Sequence, residues 1–221
     1  MSDFSTARQK MVDGQVRPSD VTDQRIIEAM LGVPREAFVP EERQALTYLD
    51  LDLSVGPAGA GKRFLLKPVV VARLLQAAEI RDTDSVLVIG CASGYTVAIA
   101  SLLTPHVRAT DPDPAMVARA ISALGKVNAG SVPVTTAPAA EGDASHGPYD
   151  VIVLDGATEI MPEGVLHQLK DGGRLVGVFA TGAPMRAMAV TRSRDDFGSR
   201  ILFDASAEVI PGFERVPDFV F

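Results

Sequence analysis

Apolar and polar positions alternate along the chain in a pattern that predicts strands and helices in turn from residue 68 onward. Val86–Ile89 form a short, mostly β-branched apolar run, which is typical of a strand buried on both faces of a parallel sheet. From Val71 to Ala78, apolar residues repeat with the spacing of an amphipathic helix, and Pro68 suits the first turn of that helix. Further strands are predicted at 107–110, 132–136, 151–154 and 174–180, with helices at 114–124 and 165–169.

Repeated strand–helix units followed by a hairpin predict an α/β fold, with a doubly wound, mostly parallel Rossmann-like sheet and an antiparallel strand at its edge. The hairpin is predicted from strands at 187–193 and 200–204. Residues 1–67 are interpreted as an N-terminal helical segment and acceptor-side loop, with helices at 5–15 and 22–31, packed on a core formed by 68–221. The two parts are expected to form one compact domain. Residues 56–62 are rich in glycine and are predicted to be a flexible loop.

Composition narrows the range of partners and compartments. The formal net charge of −7 argues against a nucleic-acid-binding surface, because phosphate contacts need clustered Lys and Arg. No apolar run approaches the roughly 18 residues of a membrane span, and no secretory signal is visible, so a cytoplasmic protein without membrane contact is expected. The single cysteine, Cys91, excludes an internal disulfide, and no metal site is predicted. The sequence leaves the oligomeric state open, with a monomer favoured.

The candidate chemistry lies in the turn after the strand at 86–89. This turn consists of small residues and leads into a helix, an arrangement that points backbone N–H groups and the positive helix end at a ligand. Asp111 follows Gly90 by 21 residues, at the end of the next strand, where an acid can accept hydrogen bonds from two ribose hydroxyls. The alternatives are a turn that only packs the helix on the strand and an acid that only caps a helix. Together the two features predict a nucleoside site, with candidate residues Gly90, Cys91, Ala92, Ser93, Gly94 and Asp111.

Several further segments occur in a characteristic order. They are Ala29-Met30, Val33–Pro40 (VPREAFVP), Tyr48 with Asp50, Val86–Tyr95, Pro148–Asp150 and Gln168–Gly173. In this order, and with the acid after the second strand, the chain resembles class I S-adenosylmethionine-dependent methyltransferases. More specifically, it resembles the protein-L-isoaspartate O-methyltransferase family over most of its length, and VPREAFVP is the most specific segment.

This resemblance implies a protein-repair methyltransferase that uses S-adenosylmethionine and acts on a carboxylate of isoaspartyl residues in a protein or peptide. It places the methionine end of the cofactor at the turn 90–94 and the ribose at Asp111. Asp155, after the fourth strand, would border the position of methyl transfer, although a solvated strand-end acid is the alternative. No catalytic residue is assigned, because a carboxylate acceptor is already a nucleophile and needs no general base. Cys91 could carry a reactive thiol, but a small residue chosen for the turn is favoured.

The chain departs from the family pattern at several positions. Val88 stands where the family has Glu, Ala92 replaces its middle glycine, and Ala137-Pro138 replaces a Gly-Asp pair, with Glu141–Asp143 close by as a substitute. In the acceptor segment, Phe64 and Leu66 are the candidate substrate-binding residues and replace two hydroxyl side chains.

These departures leave three hypotheses open: isoaspartyl methylation, methylation of another acceptor, and a non-catalytic binding or regulatory role. Arg63 and Lys67 could still attract an acceptor carboxylate. A nicotinamide dehydrogenase is disfavoured, since the G-x-G-x-x-G spacing is absent.

Overall fold

The computed structural model describes residues 4–56 and 63–216, and within them a seven-stranded sheet forms the centre of the molecule. A separate antiparallel pair precedes it in the chain, β1 (Leu53–Ser54) and β2 (Phe64–Leu65). The strands of the main sheet are β3 (Val86–Ile89), β4 (Val107–Asp111), β5 (Val134–Thr136), β6 (Tyr149–Thr158), β7 (Leu169–Phe179), β8 (Arg186–Ser193) and β9 (Asp196–Asp204).

The strand order is β5-β4-β3-β6-β7-β8-β9. Neighbours from β5 to β7 are parallel, whereas β8 is antiparallel to both β7 and β9. The predicted mostly parallel sheet with antiparallel pairing at its edge is therefore confirmed. The order reverses at β3, which places the ends of β3, β4 and β6 next to one another, where open α/β sheets bind ligands.

The helices around the sheet begin and end at residues with recognisable local signals. Pro68 occupies the first position of its helix, and Asp113 accepts a hydrogen bond from Ala115 N at 2.8 Å as an N-cap. The helices are α1 (Phe4–Met11), α2 (Gln24–Gly32), α3 (Pro68–Ala78), α4 (Tyr95–Ser101), α5 (Pro114–Gly125) and α6 (Glu163–Leu166), with a π turn at Val12–Val16 and 3₁₀ turns at Arg17–Ser19, Arg35–Phe38, Glu41–Leu46 and Ala144–His146. Buried residues of the N-terminal segment, such as Met30 and Phe38, share one hydrophobic cluster with those of α3 and the sheet.

Strands β6 and β7 differ from the sequence-based expectation. The sequence predicts that the fourth strand ends in Asp155–Ala157, whereas β6 continues to Thr158 through a register shift between Val153 and Ala157. Asp155 therefore lies at an irregular point within the strand, and the tail of the chain supports this extension through the bridge from Ala157 to Val209. Residues 170–173 were expected to end a helix, but they belong to β7, where the backbone carbonyl of Leu169 accepts from Arg192 Nη1 at 2.7 Å.

The glycine-rich loop predicted at 56–62 lies, except for its first residue, outside the described residues. Across 4–56 and 63–216, no helix has both the length and the apolar character that crossing a membrane requires.

Candidate cofactor and acceptor site

The turn from Gly90 to Gly94 adopts a tight, largely left-handed conformation. Gly90, Ala92 and Gly94 have φ values of +73°, +48° and +95°. Gly94 N donates to Cys91 O at 2.8 Å, while Gly90 N and Cys91 N both donate to Thr110 O of the neighbouring strand, at 2.8 and 3.1 Å. These N–H groups are thus directed into the fold, whereas the sequence pattern predicts that they point at a ligand.

Ala92 is the one residue of this turn that has both a side chain and a left-handed backbone. That conformation costs an L-residue roughly 1–2 kcal/mol, and glycine avoids the cost but loses more entropy on folding. We expect Ala92→Gly to leave the fold intact and to change the free energy of unfolding by less than about 1 kcal/mol, in the stabilising direction. Ala92→Leu, at a fully buried position, should instead be destabilising by about 1–3 kcal/mol. Urea denaturation of both variants measures the difference, and equal stability would show that the turn is loosely packed.

Asp111, at the end of β4, is fully buried and already has partners within the chain. Its Oδ2 accepts from Ala92 N at 2.8 Å and its Oδ1 from Asp113 N at 3.0 Å. Arg63 Nη2 donates to the same Oδ2 in a buried ion pair. Burial raises the pKa of Asp111, and the charge of Arg63 opposes that shift. The predicted ribose acid therefore lies where the sequence places it, but its carboxylate pairs with a cation of the same chain.

Arg63 contacts Asp111, and the sequence does not predict this contact. It directly precedes β2, is 5% exposed, and its backbone O accepts from Val55 N at 2.8 Å. The sequence suggests Arg63 only as a residue that could attract an acceptor carboxylate. The structure shows that the carboxylate it meets is Asp111, across 48 residues of chain.

Asp155 is buried with one oxygen bonded and one oxygen free. Thr96 Oγ1 donates to Asp155 Oδ1 at 2.7 Å, while Oδ2 has no hydrogen-bond partner among the residues that the structure describes. Burial raises the pKa of Asp155 to about 7, against the effects of the Thr96 hydrogen bond and of Arg63. The alternative of a solvated strand-end acid is wrong, since only 3% of the residue is exposed.

The segment Val33–Pro40 holds the site from the N-terminal side. Arg35 is fully buried, and its guanidinium lies 4.6 Å from the ring centroid of Tyr95. Its Nη2 donates to the backbone O of Leu66 at 2.7 Å, which fixes the acceptor segment. Ser93 Oγ donates to Phe38 O at 2.6 Å, which ties the turn after β3 to the same segment. The sequence identifies this segment as specific to the family. The structure shows that it links the turn 90–94 to the acceptor segment at Leu66.

Phe64 and Leu66 line a cavity of only 10 Å³ together with Arg63, Asp155, Gly156, Glu208, Val209 and Ile210. Ile210 fills the space above the turn, because a Cβ added to Gly90 would lie 2.8 Å from its Cδ1. On Gly156, an added Cβ would lie 2.6 Å from Ile210 Cγ1. The cavity is therefore bordered by the apolar side chains of Phe64, Leu66, Val209 and Ile210 together with the charged residues Arg63, Asp155 and Glu208.

Two other candidate groups are used elsewhere. Asp143, proposed as a substitute for the missing Gly-Asp pair, accepts from Arg108 Nε at 2.7 Å and pairs with His146 at 2.8 Å. Although burial opposes the shift, hydrogen bonds from His146 and Arg108 lower the pKa of Asp143 to about 2. Cys91 is buried, and burial raises the pKa of its thiol well above its usual value, which favours Cys91 as a small residue of the turn over a reactive thiol. Within the described part of the chain, no group of three or more His, Cys, Asp or Glu is placed to hold a metal ion.

Comparisons with known proteins point to one family. Residues 6–205 match the family model described as protein-L-isoaspartate(D-aspartate) O-methyltransferase. A protein-L-isoaspartate O-methyltransferase from Koribacter versatilis is 32% identical over 195 residues, covering 88% of this chain and 85% of that protein. Protein-L-isoaspartate O-methyltransferase 2 from an Anaeromyxobacter species is 36% identical over 171 residues, or 77% and 69% of the two chains.

Solved structures show the same fold. One protein-L-isoaspartate O-methyltransferase structure superposes with a TM-score of 0.83 at 20% identity, covering 93% of this chain and 67% of that one. A candidate family member from Plasmodium falciparum, in complex with S-adenosyl-L-homocysteine, superposes with a TM-score of 0.78 at 15% identity, over 96% and 100% of the chains.

The described residues match S-adenosylmethionine in chemistry but not in space. Asp111 is an acid at a strand end, which is the type of residue that binds ribose hydroxyls in open α/β sheets. The cavity bordered by Arg63 and Asp155 lies on the acceptor side, is lined by neither Gly90 nor Asp111, and measures only 10 Å³. In this conformation the residues do not fit the cofactor, since the Arg63 guanidinium pairs with the Asp111 carboxylate and Ile210 covers Gly90.

Proposed function

The chain belongs to the protein-L-isoaspartate(D-aspartate) O-methyltransferase family, and on that premise we propose that it is a protein-repair enzyme that methylates a carboxylate of damaged aspartyl residues in proteins. The observation that carries the proposal is the family match over residues 6–205, which includes every candidate site residue. The cofactor is S-adenosylmethionine, which supplies an electrophilic methyl group. The demethylated form of this cofactor is bound in the structure of the Plasmodium falciparum relative.

The described residues suit an acceptor that brings its own nucleophile. A substrate carboxylate is ionised at neutral pH and needs no base, so the contribution of the protein is positioning and the exclusion of water. Leu66 is buried and held through its carbonyl by Arg35, and Phe64 is half-buried beside it. These two side chains can exclude water from the acceptor, but they offer no hydrogen bond to its polar backbone.

A second candidate function is methylation of a neutral acceptor, such as a hydroxyl group. The observation that favours it is the free Oδ2 of Asp155, which shares a cavity with Phe64 and Leu66. A carboxylate with a pKa of about 7 is suited to accept a proton near neutral pH, and a neutral nucleophile would need such a base.

Methylation of a standard isoaspartyl peptide tests the proposal. We expect detectable but weak transfer by the unmodified protein, because an uncompensated polar group costs on the order of 1–3 kcal/mol. The double substitution Phe64→Thr/Leu66→Ser should raise kcat/KM by about tenfold or more, since each 1.4 kcal/mol recovered is a factor of about ten.

The matched control is Phe64→Val/Leu66→Ala, which has nearly the same side-chain volumes but no hydroxyl groups. A similar gain in the control would mean that space rather than hydrogen bonding limits the acceptor. No transfer by the parent or by the hydroxyl variant, with transfer to a small hydroxyl acceptor, would favour the second candidate function instead.

The proposal extends to the setting of the reaction. The substrates are proteins or peptides that contain isoaspartyl residues, and nucleic acid is not a partner, in keeping with the net charge of −7. We place the enzyme in the cytoplasm as a monomer, with the N-terminal segment 1–67 and the core 68–221 acting as one domain. The shared hydrophobic cluster of the two parts supports this organisation.

A further inference from the structure

Arg63 occupies the place where a nucleoside would have to meet Asp111. The ion pair between them is buried, with side-chain exposures of 5% and 0%. Ala92 N and Asp113 N provide the other hydrogen bonds to the same carboxylate. We propose that Arg63 is an intramolecular competitor of the cofactor, whose guanidinium holds Asp111 so that the cofactor binds only after this ion pair opens. This inference rests on the proposed function, because it concerns the same cofactor.

The geometry restricts how the ion pair can open. The backbone O of Arg63 accepts from Val55 N at 2.8 Å and from Gly56 N at 3.4 Å. From the other side, Arg119 Nη1 donates to Val55 O at 3.1 Å. Because the backbone at Arg63 is fixed by these bonds, the movement that frees Asp111 is a rotation of the Arg63 side chain.

The guanidinium is held strongly enough to compete but is not fully bonded. A charge-assisted bond that is shielded from water is stronger than a surface pair. However, Arg63 Nε is buried without a hydrogen-bond partner among the described residues. A buried donor without a partner destabilises the closed arrangement, which leaves the ion pair open to displacement by a ligand with two hydroxyl groups.

Rotation of Arg63 would also change the acceptor side of the site. The Arg63 side chain borders the same 10 Å³ cavity as Phe64, Leu66 and Asp155. Cofactor entry therefore enlarges the space next to the acceptor residues. The closed ion pair keeps the acceptor side shut until cofactor is present.

Calorimetry with S-adenosyl-L-homocysteine on the whole chain and on its Arg63→Gln variant tests the inference. Glutamine keeps a polar side chain at this position and removes the charge. If molecules with the closed ion pair outnumber open ones about tenfold, removing the ion pair should raise the affinity for S-adenosyl-L-homocysteine about tenfold. The reason is that the apparent dissociation constant equals the intrinsic constant divided by the fraction of open molecules. Arg63→Met, which has no hydrogen-bond donor in its side chain, should also bind S-adenosyl-L-homocysteine more tightly than the parent.

The matched control is Arg119→Gln, which removes a cation that holds the same strand pair but does not touch Asp111. Its affinity for S-adenosyl-L-homocysteine should equal that of the parent. An equal gain in Arg119→Gln, or an affinity in Arg63→Gln that is unchanged or weaker, would overturn the inference.

Nuclear magnetic resonance of the Arg63 side chain in the unmodified protein provides a test that does not depend on a folded variant. Saturation with S-adenosyl-L-homocysteine should end the slow solvent exchange of the Arg63 guanidinium protons, because the guanidinium leaves the buried Asp111 carboxylate. Guanidinium resonances and exchange rates that are unchanged at saturation overturn the inference.

Methyl transfer to the isoaspartyl peptide, measured in parallel, separates this inference from the proposed function. If the parent methylates the peptide but Arg63→Gln binds S-adenosyl-L-homocysteine no more tightly than the parent, the inference about Arg63 is wrong and the proposed function stands. If Arg63→Gln binds more tightly but neither the parent nor any variant methylates the peptide, the inference about Arg63 stands and the proposed function is wrong. Absence of binding in parent and variants alike contradicts both.

Discussion

Replacing Asp111 with alanine is expected to lower the free energy of unfolding by about 3–5 kcal/mol and to abolish binding of S-adenosyl-L-homocysteine. The cause is the burial of Arg63, which is left as an unpaired cation inside the protein. Two backbone donors, Ala92 N and Asp113 N, lose their acceptor at the same time. Denaturant unfolding followed by circular dichroism measures the stability, and calorimetry measures the binding.

The neighbouring Asp113 offers a matched control. Its side chain caps α5 through Ala115 N at 2.8 Å and faces solvent in part, so Asp113→Ala should cost only about 1 kcal/mol and should leave binding intact. In the double variant Asp111→Ala/Arg63→Met, the buried charge is gone, and part of the lost stability should return. Additive losses in this double variant would contradict the buried ion pair.

Replacing Asp155 with asparagine is expected to change how stability depends on pH. Burial raises the pKa of Asp155 from 3.8 to about 7, so the folded state binds the proton more tightly than the unfolded chain. The stability of the parent therefore decreases as the pH rises from about 4 through 7 and is level above that range. An asparagine side chain does not ionise, so Asp155→Asn should be more stable than the parent at pH 8, by on the order of 2–4 kcal/mol.

Unfolding measured at a series of pH values from about 5 to 9 tests this expectation, and Asp150→Asn is a control of the opposite sign. Asp150 accepts from Ser85 N at 2.8 Å and from Lys170 Nζ at 2.7 Å. Although burial opposes the shift, these bonds lower the pKa of Asp150, so its ionised form stabilises the fold above about pH 4. The Asp150 variant should thus be less stable than the parent at pH 8. If Asp155→Asn and the parent show parallel curves, Asp155 does not titrate in this range.

The local sequence was sufficient to predict those elements whose burial or starting residue depends on nearby residues. The apolar run at β3 is stabilised by burial on both faces of the sheet. Pro68 and Asp113 begin helices because a proline suits the first turn and an aspartate side chain accepts a hydrogen bond from a free backbone N–H. Local signals were insufficient at 170–173, where Gly172 and Gly173 are typical of a turn. The pairing of Leu169 with Tyr149, and of Arg174 with Val151 and Thr191, includes this segment in β7 at a register shift that no local pattern reveals.

The sequence by itself determined the strands of a mostly parallel sheet, the small-residue turn and the acid at position 111, because each of these follows from a short-range pattern. It also identified Phe64 and Leu66 as the apolar positions of the proposed acceptor segment. Only the tertiary structure decided which group meets the Asp111 carboxylate, since Arg63 reaches it across 48 residues and a loop closure that no periodicity encodes. The same holds for Asp155, whose pKa depends on the burial that Thr96, Ile210 and the rest of the fold produce together.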